Sequence, residues 1–277
     1  MLTTSLDGLW VLQVLTGIEV VAPEMGLRPH LPSVEPKQKA LQHPVTPELR
    51  AAGVIDETDS VDGTIVEWLT VLSRRDIGLM IHFRLPGDGE PTRALLARFA
   101  HWWVSIERSG DLVRISGAGI ASNESAAGEA LSAQIERLCG ASDPAPLRPV
   151  TLDVDAMRAT ATDQHRLHEF LASQGLEPDQ LHLLKLATDT DRSAQASIVA
   201  IQSGVDSGRP TRTHIDQGAV TIIDTPEGRL VAEHVPSAGK QWMIIAPGTK
   251  NNIGSAISHM MRRLPADQEW YSYRKVV

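Results

Sequence analysis

The feature that most constrains the fold is an approximate internal repeat, seen when residues 48–140 are laid beside residues 167–265. Both stretches read helix, helix, several strands, helix. In the first, ELRAAGVID is a helix stopped by Gly53 and followed by the apolar helix TIVEWLTVLSR. In the second, LHEFLASQGLE stops at Gly175 and is followed by DQLHLLKLAT. A glycine just past a periodic apolar run is a helix stop, because it takes the left-handed conformation without a Cβ clash. Strand-like runs come next, IGLMIHFRL and QASIVAIQS, each leading into a Gly- and Pro-rich loop, PGDGEPTR and GVDSGRPTR. HWWVSIERSGDLVRIS then aligns with GAVTIIDTPEGRLVAEH, two β-rich runs about a short turn holding Gly110 or Gly228, the pattern of an antiparallel hairpin. Finally Gly128, Leu131, Ile135 and Leu138 fall in register with Gly254, Ile257, Met261 and Leu264, spacings of three and four that draw one apolar helix face.

A period near 120 residues is too long for a solenoid and fits a duplication. The expected fold is α+β and chiefly antiparallel, with two related halves contributing strands to a common central sheet about a quasi-two-fold axis. Residues 1–145 form the N-terminal half and 146–277 the C-terminal half, sharing one sheet and acting as a single domain. The join, ASDPAPLRPV, holds three prolines that forbid regular helix. A second irregular stretch, with prolines at 23, 29, 32, 36, 44 and 47, connects the opening helix SLDGLWVLQVLTG to the one ending at Gly53.

Composition narrows the function classes. Apolar residues make up 42% and charged residues 22%, a globular balance, over a length that easily supports a core. The net charge of −8 argues against nucleic-acid binding, which draws its affinity from neutralised phosphates. No apolar run approaches the roughly 18 residues of a membrane span. The first basic residue is Arg28, so the opening segment lacks the cationic start of a signal peptide and a cytoplasmic location is expected. Cys139, the sole cysteine, sits in a helical run and reads as a structural thiol.

Candidate catalytic groupings are weak. Gly117-x-Gly119-x-x-Ser122 follows a strand and opens a helix, the setting of a pyrophosphate cradle, yet the strand is the second arm of a hairpin and no parallel strand follows. A glycine turn with Ser122 or Asn123 as helix cap explains the same residues. His165 and His168, with His182 as a third imidazole, could face one metal, but nothing supplies a fourth ligand, and a solvated helix face accounts for them. No GxSxG elbow occurs, and Asp224 and Glu227 read as turn formers beside Pro226 and Gly228. The expectation is no catalytic residue, no metal and no cofactor; a small-molecule or metal-dependent enzyme is the alternative. Trp102 and Trp103, adjacent on a strand, must point to opposite faces of the sheet.

The chain also resembles the EspG proteins, cytosolic chaperones of mycobacterial type VII (ESX) secretion. The resemblance spans the chain and rests on LDGLWVLQVLTGIEV with GLRPHLP, LRAAGVID, QASIVAIQ, VTIIDTPEGRLV and IIAPGTKNNIGSAISHMMRRLP. It implies a sheet with two helical bundles and quasi-two-fold symmetry. It further implies binding to the PPE subunit of a PE/PPE heterodimer at the tip remote from PE, and delivery to the ESX machinery. Carried over by aligned strands, the resemblance implies partner contacts at Ser197, Ile198, Thr221 and Ile223 of the sheet and at His182 and Lys185 of the following bundle. The loop from Pro86 to Arg93, including Gly87, Asp88, Gly89 and Glu90, is implied as a mobile flank. A sheet-surface role explains each of these side chains equally well. A monomer or weak dimer is expected, since a free sheet edge can be capped or paired.

Overall fold

A computed structural model describes residues 1–87, 92–160, 163–204, 212–237 and 239–275. The first half runs β1 (Leu2–Ser5), α1 (Leu6–Thr16), α2 (Lys37–Leu41), α3 (Thr46–Ala51), α4 (Gly63–Arg74), β2 (Ile77–Arg84), β3 (Thr92–Phe99), β4 (Trp102–Ser109), β5 (Leu112–Ile120) and α5 (Glu124–Cys139). The second runs β6 (Val150–Asp153), α6 (Val154–Thr160), α7 (Gln164–Ser173), α8 (Pro178–Thr188), β7 (Ala194–Ser203), β8 (Thr213–Ile215), β9 (Val220–Thr225), β10 (Gly228–Ser237), β11 (Lys240–Pro247) and α9 (Lys250–Arg262).

The helices start where the sequence offers a side-chain acceptor. Ser5 accepts from the Gly8 amide, Asp62 from Thr64 and Ile65, Asn123 from Ala126, and Thr249 from Asn252, each satisfying a donor left over at a helix start. Such caps contribute about 1 kcal/mol apiece. Gly53 and Gly175 both take positive φ, 71° and 66°, so the paired helix stops inferred from sequence have the same physical cause.

All the strands join one antiparallel sheet in the order β1-β5-β4-β3-β2-β7-β9-β10-β11-β6, with β8 attached to β7. The seam between the halves is β2 against β7, paired from Ile77↔Gln202 to Arg84↔Gln195. Read outward from this seam, β2 stands opposite β7, β3 opposite β9, β4 opposite β10, β5 opposite β11 and β1 opposite β6. That order corrects one detail of the sequence alignment. The hairpin β4–β5 matches β9–β10 in pattern, but by position in the sheet its counterpart is β10–β11. Hairpins share alternation and turn chemistry, so pattern alone slips by one strand without penalty.

Alternation along the strands divides the core in three. On one face, α1 to α4 bury Leu9, Trp10, Leu12, Leu69 and Leu72 against Met80, Leu95, Val104, Ile106 and Val113. On the same face of the other half, α7 and α8 bury Leu171, Leu183 and Leu184 against Ile223, Leu230, Ala232 and Ile245. The opposite face is a single continuous core under α5 and α9, holding Ile81, Leu96, Trp103, Leu131, Ile135, Ile198, Ile222, Ile257 and Met261. The helix face in register between the halves is therefore the pair of stripes that cover this second side. Trp103 is 2% exposed and Trp102 50%, the opposition expected of neighbours on a strand.

A buried ion pair ties the chain's last segment to the first half. Arg98, fully buried on β3, donates through Nη1 to the Trp270 carbonyl at 2.5 Å and through Nη2 to the Tyr273 carbonyl, 3.9 Å from the Asp76 carboxylate. Burial holds the guanidinium down to about 10, so it stays charged at neutral pH. Asp76 in turn accepts from the Ala100 and Lys275 amides at 3.2 and 2.9 Å. Arg98→Ala leaves that carboxylate buried without its counter-charge and strips two carbonyls of their donor. Urea unfolding is expected to show a loss of about 3–5 kcal/mol.

The Pro-rich connector is held by a second buried carboxylate. Glu35 accepts from the Leu31 amide at 2.7 Å and lies 3.1 Å from His30 Nδ1. The Leu31 bond is the largest cause that lowers its pKa to about 2, with burial opposing and His30, Trp10 and Arg28 assisting. A carboxylate lowered on folding adds stability above its unfolded pKa, and that stability is lost as pH falls through the folded value. Acid titration of the melting temperature from pH 5 to pH 2 is expected to fall less steeply in Glu35→Gln than in the parent.

Candidate functional site

On the face that carries both bundles, the described residues of the two form separate apolar clusters, and the sheet between them forms the floor of a cleft. One row of register partners crosses it: Arg108, Arg93, His82, Ser197, Thr221, Ala232 and Ile245. The row is apolar under the C-terminal bundle, at Ala232 and Ile245, and polar from Thr221 to Arg108, whose guanidinium donates to the Met25 and Gly26 carbonyls. His82 and Arg84 are exposed, and Arg93, Ser197, Val199 and Thr221 are half-buried, while Ile81, Ile198, Ala200 and Ile222 on the other face are buried. Strand geometry dictates this split: β7 feeds the opposite core with Ala196, Ile198 and Ala200 and turns Ser197 and Val199 toward the cleft, while Ile201 on that same side is buried under the N-terminal bundle.

Of the residues carried over from the family, the structure brings together Ser197 and Thr221, which are direct register partners. Ile223 lies on the same face but is 8% exposed beneath the C-terminal bundle. Ile198 is a correction: it is fully buried in the opposite core, so its side chain takes no part in this surface. His182 stands on the exposed side of α8 with Nε2 2.6 Å from Glu227 Oε1, tying the helix to the β9–β10 turn, and Lys185 follows one turn later, half-buried. Pro86 and Gly87 form a turn after β2, whereas Asp88, Gly89 and Glu90 lie outside the described residues.

Thr221 and Ile223 also line a cavity of about 210 Å³ with Met157, Leu184, Gln195 and Met243, between the C-terminal bundle and the sheet. This bundle is thus incompletely seated on its strands, and the apolar space opens beside the polar row. His234, on the same face of β10, is held below its ordinary pKa by burial first and then by Arg158 and Arg263. At neutral pH it is uncharged, and the formal charge of the cleft floor is carried by Arg84 and Arg93. His82, Arg84 and Arg93 escape a motif search; the usable signal was polar residues in alternation at the end of the otherwise apolar run IGLMIHFR.

The other sequence candidates resolve into structure. Gly117 and Gly119 lie within β5, and Asn123 caps α5. His165 sits 3.6 Å from Glu169 and His168 bonds Thr188 at 3.2 Å. Asp224 holds the buried Arg229 in a bidentate pair at 2.6 and 2.7 Å. Burial pushes the Cys139 thiol up to about 11, the opposite of what a nucleophile needs. Among the described residues no group of three metal-ligating side chains occurs, and no helix is long and apolar enough to cross a membrane.

Comparison with known proteins places this geometry. The EspG family model matches residues 5–259. The chain is 49% identical, over the full length of both, to the ESX-2 secretion-associated protein EspG2 of Mycobacterium tuberculosis H37Rv. It is 24% identical to the ESX-5 secretion-associated protein EspG5 of Mycobacterium marinum, across 99% of this chain and 97% of that one. The solved M. tuberculosis type VII secretion system chaperone EspG5, in complex with a PE25–PPE41 dimer, shares the fold with a TM-score of 0.75 at 20% identity, covering 98% and 99% of the two chains. By the family model over most of its length and by full-length identity to EspG2, the chain belongs to the EspG family of ESX secretion-associated proteins.

Proposed function

We propose that this chain is a cytoplasmic chaperone of an ESX secretion system that binds the PPE subunit of a PE/PPE heterodimer at its helical tip and holds that tip soluble until delivery to the ESX machinery. The observation that carries the reading is full-length 49% identity to EspG2, on a fold shared with an EspG5 solved together with a PE25–PPE41 dimer. The cargo is assigned to the cleft between the bundles. Ser197 and Thr221 form its floor, the apolar space under Ile223 receives protruding side chains, and Lys185 with the Pro86–Arg93 loop flanks it. ESX-2 is the system assigned from the likeness to EspG2.

The physics needs no reaction. A partner that binds the exposed apolar tip lowers the free concentration of the aggregating species by mass action. The two halves, 1–145 and 146–277, act as one unit related by a quasi-two-fold about the β2–β7 seam, a reading supported by the matched strand order on either side of it. The cavity beside Thr221 and Ile223 lies under the C-terminal bundle, so that half is assigned the role of receptor. The chain acts as a monomer or weak dimer.

Co-expression with the PE/PPE pairs encoded beside each ESX locus, followed by size-exclusion chromatography, is expected to give a one-to-one-to-one peak with a cognate pair. No co-elution with any pair overturns the reading. Thr221→Tyr places bulk on the cleft floor at a half-buried position, and is expected to weaken that complex about tenfold or more, roughly 1.4 kcal/mol. Its melting temperature should stay near the parent's. Unchanged co-elution from the folded variant would remove Thr221 from the interface.

A further inference from the structure

Away from the cleft, at the outer end of the N-terminal half, part of the sheet edge is unpaired among the described residues. β1 pairs only with residues Leu112 to Ile115 of β5, which continues to Ile120 with β4 on its inner side. Among the described residues no strand pairs with the outer side of Ser116 to Ile120. The sequence there, Ser-Gly-Ala-Gly-Ile, contains neither proline nor charge, two of the devices by which proteins discourage strand addition; a bulge at Ala118 bends the edge without covering it. The other half is guarded: β6 covers Trp242 to Ile245 of β11, and the strand is bounded by Lys240 and Pro247.

An apolar groove of about 520 Å³ opens beside this bare edge, walled by Trp68 of α4, Phe99, Trp102, Gly117 and Ile120. A bulge between Trp103 and Val104 accompanies the positive φ of Gly119, 125°, and the Trp68 ring packs over Gly117, where a Cβ would stand 3.4 Å from its Nε1. Trp102 and Ile120 are 50% and 62% exposed, so the groove carries a large unpaid apolar surface at its mouth. Its one charged lining residue is Glu67, exposed and without an ion pair among the described residues. Asp56, Glu57, Asp59 and Asp62 precede α4 on the approach.

We infer that this edge and groove form a second docking surface, separate from the cleft, which takes an extended segment of another protein by strand addition to Ser116–Ile120. The bare backbone supplies the ladder. Alternate side chains of the incoming strand enter the groove against Trp68, Trp102 and Ile120, which favours Val, Ile or Leu at every second position. The acidic lining selects a lysine or arginine at the end of the strand that passes Glu67. The partner is therefore an apolar, basic-ended peptide segment, and its binding leaves the cleft free.

The test uses fluorescein-labelled Lys-Val-Thr-Val-Thr-Val peptide and its counterpart with Glu for Lys, titrated against the full chain by fluorescence polarisation. Saturable binding of the lysine peptide is expected, weaker by about fivefold to tenfold for the glutamate peptide, with the preference reversed in Glu67→Lys. Ile120→Lys, a change at an exposed site, should abolish binding with an unaltered melting temperature, and Thr221→Tyr should bind as the parent does. Absence of saturable binding to the folded parent overturns the proposal, as does full binding by Ile120→Lys. Self-association of the parent that disappears in Ile120→Lys would assign the edge to a second copy of the chain and overturn it equally.

Discussion

The antiparallel seam between β2 and β7 is the contact on which the rest of the molecule depends. Eight consecutive register pairs, Ile77↔Gln202 through Arg84↔Gln195, turn two half-sheets into one. Each half alone would present a bare central edge with Leu79, Ile81, Ile198 and Ala200 exposed on one side. Joined, these residues become the middle of the continuous core under α5 and α9. On the other face the N-terminal bundle covers the Met80 and Ile201 end of the seam and the C-terminal bundle sits on β9 to β11, which leaves a gap over His82 and Ser197. The gap over the seam is the cleft.

Much of this was legible in the residues. The glycine stops at Gly53 and Gly175, the matched helix stripes ending in Leu138 and Leu264, and the opposition of Trp102 and Trp103 follow from local rules that tertiary packing did not override. The hairpin equivalence slipped by one strand because a period of two repeats identically in every strand, and only the sheet order distinguishes β9–β10 from β10–β11. The cleft was less legible. Ser197 and Thr221 were placed by family resemblance and meet as register partners, but Ile198 points away, a consequence of strand alternation that is already explicit in QASIVAIQ once its buried side is known. His82 and Arg93 join the same row from a different half of the chain, and no spacing rule links residues 82 and 197 before the seam is known.

Charge is distributed with the same economy. The chain is acidic overall, yet the floor of the cleft carries Arg84 and Arg93 with a neutral His234 nearby, while carboxylates gather around α4 at the far end of the sheet. Two sites of buried charge fasten distant segments: Arg98 with Asp76 for residues 270–275, and Arg229 with Asp224 for the proline-rich join, where Arg229 also donates to the Cys139 and Gly140 carbonyls. These pairs define where loops rest, a task that apolar packing, being non-directional, performs poorly.

The seam also sets an order of events during synthesis. Met80 finds its partner in Val199, well over one hundred residues later, and Arg98 awaits the carbonyls of Trp270 and Tyr273. Contacts this remote in sequence form late, since loop closure precedes their reward. Until residues 194–203 are paired with β2, the first half has an unpaired central edge and the floor of the cleft is incomplete.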